Sequence, residues 1–288
     1  MDVSTPAKRC TRWLLGVVLL AVMVGCSQTR LAYRYADWGV VWWVEDYISL
    51  TDSQEIRLNQ DLQALQQWHC STELPHYRQW LAVLEQDLAD GPPSKAQVLH
   101  HQETLMAFVP TLLRRATPVA VNLLSSLSDA QVQQLAQNMA ENQRDLEQEM
   151  LEGTPTETAR ARSERTIERV ERWLGDLNAD QRSIVAAWSA DRGRQTEIWL
   201  QGRKNWQAAL LEALEKRNQP GFNDRVKALL VHSERARGPE YQAMLRDSQK
   251  AMSELMHNLI RAGDSRHQDH LLARASELNG DFAALTCS

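Results

Sequence analysis

Glycine and proline are scarce in this chain, at 12 and 9 of 288 residues, which excludes a collagen-like or low-complexity, turn-dominated chain. No run of alternating Val, Ile and Thr is present, so strands have nothing to form from; Gln, Glu, Ala, Leu and Arg, all good helix formers, fill the sequence instead. Phenylalanine is down to 3 residues while tryptophan reaches 10. There is no Gly-rich phosphate loop, no Gly-x-Ser-x-Gly elbow and no His-Glu-x-x-His pair, so no reaction can be read from motifs. An excess of base is missing as well. The net charge is -5, which argues against a nucleic-acid partner.

What is present starts with a leader. Lys8, Arg9 and Arg12 make a positive start, and Trp13 to Val24 make an apolar core too short to stay in a bilayer as a span. It ends in Met23-Val24-Gly25-Cys26. These residues resemble the cleavage box of bacterial lipoproteins, with Met23 where Leu is usual. The resemblance implies removal of residues 1–25, a diacylglycerol thioether and an N-acyl chain on Cys26, and a short tether over residues 26–30. Ser27 rather than Asp then implies sorting to the outer membrane, facing the periplasm of a Gram-negative cell. An ordinary leader cut near Gly25 is the alternative.

The next stretch, Leu31 to Leu50, carries Trp38, Trp42 and Trp43 with Tyr33, Tyr35 and Tyr47. On a helical wheel, Tyr33, Ala36, Val40, Val41, Trp43, Val44, Tyr47 and Ile48 share one face, and Trp38, Trp42 and Tyr35 lie opposite. A helix apolar nearly all round is expected to be the covered hub of a bundle, and Asp37, Glu45 and Asp46 favour burial in protein over contact with lipid. Asp37 lies within the apolar face. Two roles are open for it: an ion pair with an Arg of another helix, or a docking surface shared with Trp38, Trp42, Trp43 and Tyr47.

An oxidising compartment changes the cysteine arithmetic. Cys10 leaves with the leader and Cys26 is the lipidation site, so Cys70 and Cys287 remain. They form a bridge if the fold brings their α-carbons within about 7 Å.

Helix starts are written plainly. Leu50-Thr51-Asp52-Ser53-Gln54 has the form of a capping box, and Ser94 to Gln97, Leu127-Ser128 to Gln131, Thr154 to Glu157 and Leu177-Asn178 to Gln181 repeat it at uneven spacing. Asp264 is expected to cap the last helix. Pro75 should bend or restart one helix, Gly91-Pro92-Pro93 should stop it, and Pro110 and Pro118 should kink or divide another. The segment Asn178 to Asn218 is expected to be the longest, with Gly193 and Gly202 as its points of interruption. Short connections between long amphipathic helices imply an elongated all-α bundle of antiparallel neighbours over residues 31–288, without sheet.

Two further resemblances rest on these residues. From Tyr35 to Leu81, the Trp-rich helix, Asp46-Tyr47-Ile48-Ser49-Leu50-Thr51, Gln54, and Trp68-His69 followed by Glu73-Leu74-Pro75-His76-Tyr77 resemble a family of proteobacterial lipoproteins of unknown function. The segments at Leu50, Leu127 and Leu177 resemble the Leu-Thr-x-x-Gln repeats of small periplasmic stress chaperones, with Ser128 and Asn178 replacing Thr in the second and third. A capping box by itself accounts for the same letters.

Metal ligation is weakly supported. Glu73-x-x-His76 and Glu254-x-x-His257 have the spacing of helical di-iron proteins, but Pro75 interrupts the first and chance placement accounts for both. The His100-His101 pair and His267 with His270 are expected on solvated faces. No metal, cofactor or small-molecule substrate is inferred. The expectation is a non-enzymatic, lipid-anchored scaffold or interaction module for envelope proteins. A chaperone-like cradle for unfolded clients comes second, and a helical metal-dependent enzyme a distant third.

Overall fold

The computed structural model describes residues 28–287. Cys26 and the leader lie outside the described residues. Helices run in the order α1 (Gln28–Arg34), α2 (Ala36–Glu45), α3 (Asp52–Trp68), α4 (Leu74–Ala89), α5 (Lys95–Ser125), α6 (Asp129–Leu151), α7 (Pro155–Leu174), α8 (Ala179–Ala190), α9 (Gln195–Glu215), α10 (Phe222–Val231), α11 (Ser233–Arg237), α12 (Pro239–Arg261) and α13 (Ser265–Ala284). Among the described residues there is no strand. The fold is all-α.

The starts obey local chemistry. Thr51, Ser94, Ser128, Thr154 and Asn178 each accept the amide of the third residue on, whose Gln or Glu side chain returns to the cap amide. Asp264 does the same with His267. Each box satisfies two amides that a helix end otherwise leaves orphaned.

Burial is divided between the two ends of α5, a 31-residue helix about 46 Å long. Near its start, Val98 joins Leu81 and Leu88 of α4, Val170 and Leu174 of α7, Val185 of α8, Leu255 and Leu259 of α12, and Leu271 and Ala275 of α13. Near its end, Leu123 and Leu124 pack against Ile48, Leu135 and Met139 of α6, Leu210 and Leu214 of α9, and Phe222 and Val226 of α10. A third group, Val41, Leu58 and Leu62 with Val119 alongside, fixes α2 and α3 to α5. Neighbours run antiparallel: along α4 and α13, Arg78 meets Asn279 and Glu85 meets Ser276.

Four expectations are corrected. Residues 31–50 are no covered hub: the chain breaks at Tyr35 into two short helices, and only Val41 and Ile48 of this stretch are buried. Of the two effects expected of Pro110 and Pro118, division of α5 does not occur. The carbonyls they leave without an amide belong to Met106 and Arg114, which are exposed, so water can take them. The segment from Asn178 breaks after Ala190, where Gly193 takes φ +48°, so α5 rather than this segment is the longest helix. Gly202 does not interrupt α9; it is buried and lets Tyr241 of α12 approach. At Pro75 the helix restarts, one of the two outcomes expected there. A π-helical turn over His69–Glu73 precedes it, the Leu74 amide bonding to the His69 carbonyl.

Candidate functional site

The residues after Glu45 bind the first two helices to the body. Along α6, Gln131, Gln134, Asn138 and Asn142 present a polar edge to residues 47–49. Gln131 Nε2 donates to the Ser49 carbonyl at 2.8 Å, Gln134 Oε1 accepts from the Ser49 amide at 2.9 Å, and Asn138 Nδ2 donates to the Tyr47 carbonyl at 2.9 Å. The Tyr47 hydroxyl donates to Asn142 Oδ1 at 3.4 Å, and Arg203 holds the same oxygen at 2.7 Å.

Held in this way, α2 turns Val41 inward and leaves Tyr35, Trp38, Trp42 and Trp43 exposed at 55%, 67%, 61% and 58%. Trp43 packs on half-buried Tyr47, ring centres 5.4 Å apart. Of the residues expected to form an interaction surface, the three tryptophans are therefore brought together in the open. Asp37 is the exception: among the described residues no base lies within ion-pair distance. Its carboxylate accepts from the Trp38 amide at 2.8 Å. The break at Tyr35 puts Asp37 in the first turn of a new helix, where amide dipoles replace the expected arginine.

α1 is docked separately. The Tyr33 hydroxyl lies 3.0 Å from His69 Nδ1 and 3.3 Å from the Gln66 carbonyl, and Arg30 pairs with Asp281 of α13 at 3.2 Å. Burial, with Tyr77 close by, pushes the Tyr33 phenol up to about 12. Burial lowers His69, with Glu73 opposing. Next to this cluster, Cys70 of the π turn and Cys287 are joined by a disulfide, their α-carbons 5.5 Å apart.

The Leu-Thr-x-x-Gln-like starts meet in pairs. Gln54 Nε2 donates to Gln131 Oε1 at 3.1 Å, and Gln131 Nε2 donates back to Gln54 Oε1 at 2.7 Å. Gln54 also donates to the Ser126 carbonyl at 3.0 Å, and Gln131 to that of Ser49. Ser126 and Ser49 stand in matching positions, just before Leu127-Ser128 and Leu50-Thr51. The relation is a local two-fold. A second pair meets through side-chain to carbonyl bonds alone: Asn178 Nδ2 donates to the Ala262 carbonyl at 2.8 Å, and His267 Nε2 donates to that of Asp176 at 3.1 Å. Fully buried Gln181 adds a bond to the Leu259 carbonyl at 3.0 Å. Sequence reading found the three Leu-led starts but missed Asp264 and His267 as partners of the third, because His at that position carries no capping signature.

Of the four histidines expected on solvated faces, His100 and His270 are exposed, while His101 and His267 are not. His101 is buried against Asp87 at 2.8 Å, and His267 is buried in its cap. Glu73 is buried while His76 is exposed, and Glu254 pairs with Lys95 at 2.9 Å, so neither Glu-x-x-His segment presents a joint ligand pair. Among the described residues no group of three or more His, Cys, Asp or Glu is placed to hold a metal.

Residues 46–242 match the family of unknown function DUF6279. The chain belongs to that family. The DUF6279 match covers the strap held by α6, the Gln54–Gln131 pair and Cys70, and ends in α12. Comparison with curated proteins and with solved structures gave no match.

Proposed function

We propose that the chain is an outer-membrane-anchored periplasmic lipoprotein, lipidated at Cys26, that acts without catalysis as an interaction module for envelope proteins. One observation carries the reading. From its first turns to its middle, α5 leaves Leu99, Leu105, Met106 and Val109 exposed. Leu99 and Met106 line an open groove of about 560 Å³ between α5 and α12, edged by charges of both signs at Lys95, Glu103, Arg246, Lys250 and Glu254. Exposed, adaptable Met and Leu side chains beside a charged rim suit a protein-binding surface.

The same softness favours a second reading, a cradle for unfolded clients. The Leu-Thr-x-x-Gln likeness adds little to it, because Gln54, Gln131 and Gln181 are occupied in holding helix starts together. In-cell photo-crosslinking from Met106 and Val109, with exposed Gln63 of α3 as a control, tests both. One adduct of fixed size supports a specific partner. Many adducts that increase under envelope stress support the cradle, and no adduct from either position removes both.

A further inference from the structure

The aromatic face of α2 stands apart from the α5 stripe in chemistry and in place. Trp38, Trp42 and Trp43 are each more than half exposed, with Tyr35 and Leu31 close by in the chain. The six residues Trp38–Trp43 carry no charge. Val41 and Val44 pack into the body, while on the α2 wheel Trp38, Trp42 and Trp43 spread over an arc of roughly 140° centred on the far side, with Tyr35 at the helix cap. Asp37 is turned to its own helix start, and Glu45 and Asp46 lie at the far end, where the chain enters the strap.

What covers this face follows from the chain that precedes it. Only Ser27 separates Cys26 from α1, and α1 is 7 residues, about 10 Å. A lipid on Cys26 therefore delivers Tyr35 to within about 15 Å of the acyl chains, the depth at which a headgroup layer and one helix diameter end. Tryptophan and tyrosine are the side chains enriched at that level, each with an apolar ring and a hydrogen-bonding N–H or O–H. Exposed Arg34 lies on the same short segment, suited to lipid phosphate.

We infer that α2 lies in the membrane interface, with Trp38, Trp42 and Trp43 seated among lipid headgroups, so that the protein is held by its acyl chains and by an aromatic plate together. The inference rests on the anchor reading of Cys26. The plate fixes orientation: the hydrogen bonds that tie residues 47–49 to α6 transmit the tilt of α2 to the body.

The test uses protein extracted from membranes and reconstituted in phosphatidylethanolamine–phosphatidylglycerol vesicles whose acyl chains are brominated near the glycerol. Emission of the wild type is expected to be quenched and blue-shifted. The variant carrying Trp38→Phe, Trp42→Phe and Trp43→Phe, which keeps Trp68, Trp80, Trp173, Trp188, Trp199 and Trp206, is expected to lose nearly all of that quenching with an unchanged thermal melt. Mass analysis of the N-terminal peptide reports the anchor independently. Lipid on Cys26 with equal quenching in both proteins overturns the plate and leaves the anchor. Trp-dependent quenching on added vesicles without lipid on Cys26 upholds the plate and removes the anchor, and absence of both removes both. A blue shift without lipid quenching and with a doubled mass in solution gives the face to a second copy and overturns the inference.

Discussion

Gly202 and Gly280 both lie inside helices, and intrinsic propensity favours alanine at each by about 1 kcal/mol. Their surroundings reverse the sign at one of them. A Cβ on Gly280 meets nothing within 4 Å, whereas one on Gly202 falls 2.5 Å from Tyr241 Cδ2 and 3.3 Å from Arg237 Cβ. Gly280→Ala should therefore stabilise by about 0.5–1 kcal/mol, and Gly202→Ala should destabilise by about 1–3 kcal/mol because a packed ring must move. Urea unfolding of both variants checks the pair, and Tyr241→Ala should remove most of the Gly202→Ala penalty. The Gln54–Gln131 amides are likewise coupled. Each single Ala variant should cost about 1–3 kcal/mol, since it leaves a partner amide and a backbone carbonyl short of a bond. A double-mutant cycle should give a coupling of at least about 0.5 kcal/mol, and strict additivity would show that the two helix starts are held by something else.

At the scale of one helix, α1 depends on the protonated phenol of Tyr33. Its pKa is raised to about 12 in the folded chain against an ordinary value near 10. The native state thus holds this proton more tightly, so the contribution is complete below about pH 10 and is lost as pH rises through about 12. Ultraviolet titration should show a phenol ionising near pH 12 that is absent in Tyr33→Phe, together with release of α1 over the same window. Helix starts were legible in the sequence because a capping box is local: Thr51 and Gln54 find each other within one turn whatever the rest of the chain does. The exposure of Trp38 was not legible, because a wheel reports which residues share a face and not whether another helix reaches it. For His101 and His267, burial was decided by carboxylates at Asp87 and Asp264, one of them a helix away.

Across the whole molecule, the Cys70–Cys287 disulfide bridges a sequence separation of 217 residues. By chain entropy, a loop of that size is stabilised by about 5 kcal/mol before strain. Reduction, or Cys70→Ser with Cys287→Ser, should lower the unfolding midpoint accordingly while leaving the helical circular-dichroism signal in place at low temperature. The two cysteines were legible as a pair because the expected leader and lipidation site set the others aside. That they meet was not: it depends on α13 returning antiparallel along α4, a tertiary pairing with no local signal. The divided core was hidden for the same reason, since Val98 and Leu123 belong to one uninterrupted helix and read as one stripe.

The position of that disulfide also makes the chain a leash of limited length. A pull applied between residue 28 and Cys287 meets the fastening of Cys287 to Cys70. Everything from α4 to α13 is shunted out of the load path. Only the residues from 28 to 70 can be drawn out, about 150 Å of extended chain, against about 900 Å with the bridge reduced. A body tethered at its N-terminal side and gripped near Cys287 by a partner would yield α1 to α3 under load, taking Ile48 out of the second apolar cluster and leaving the rest of both clusters in place.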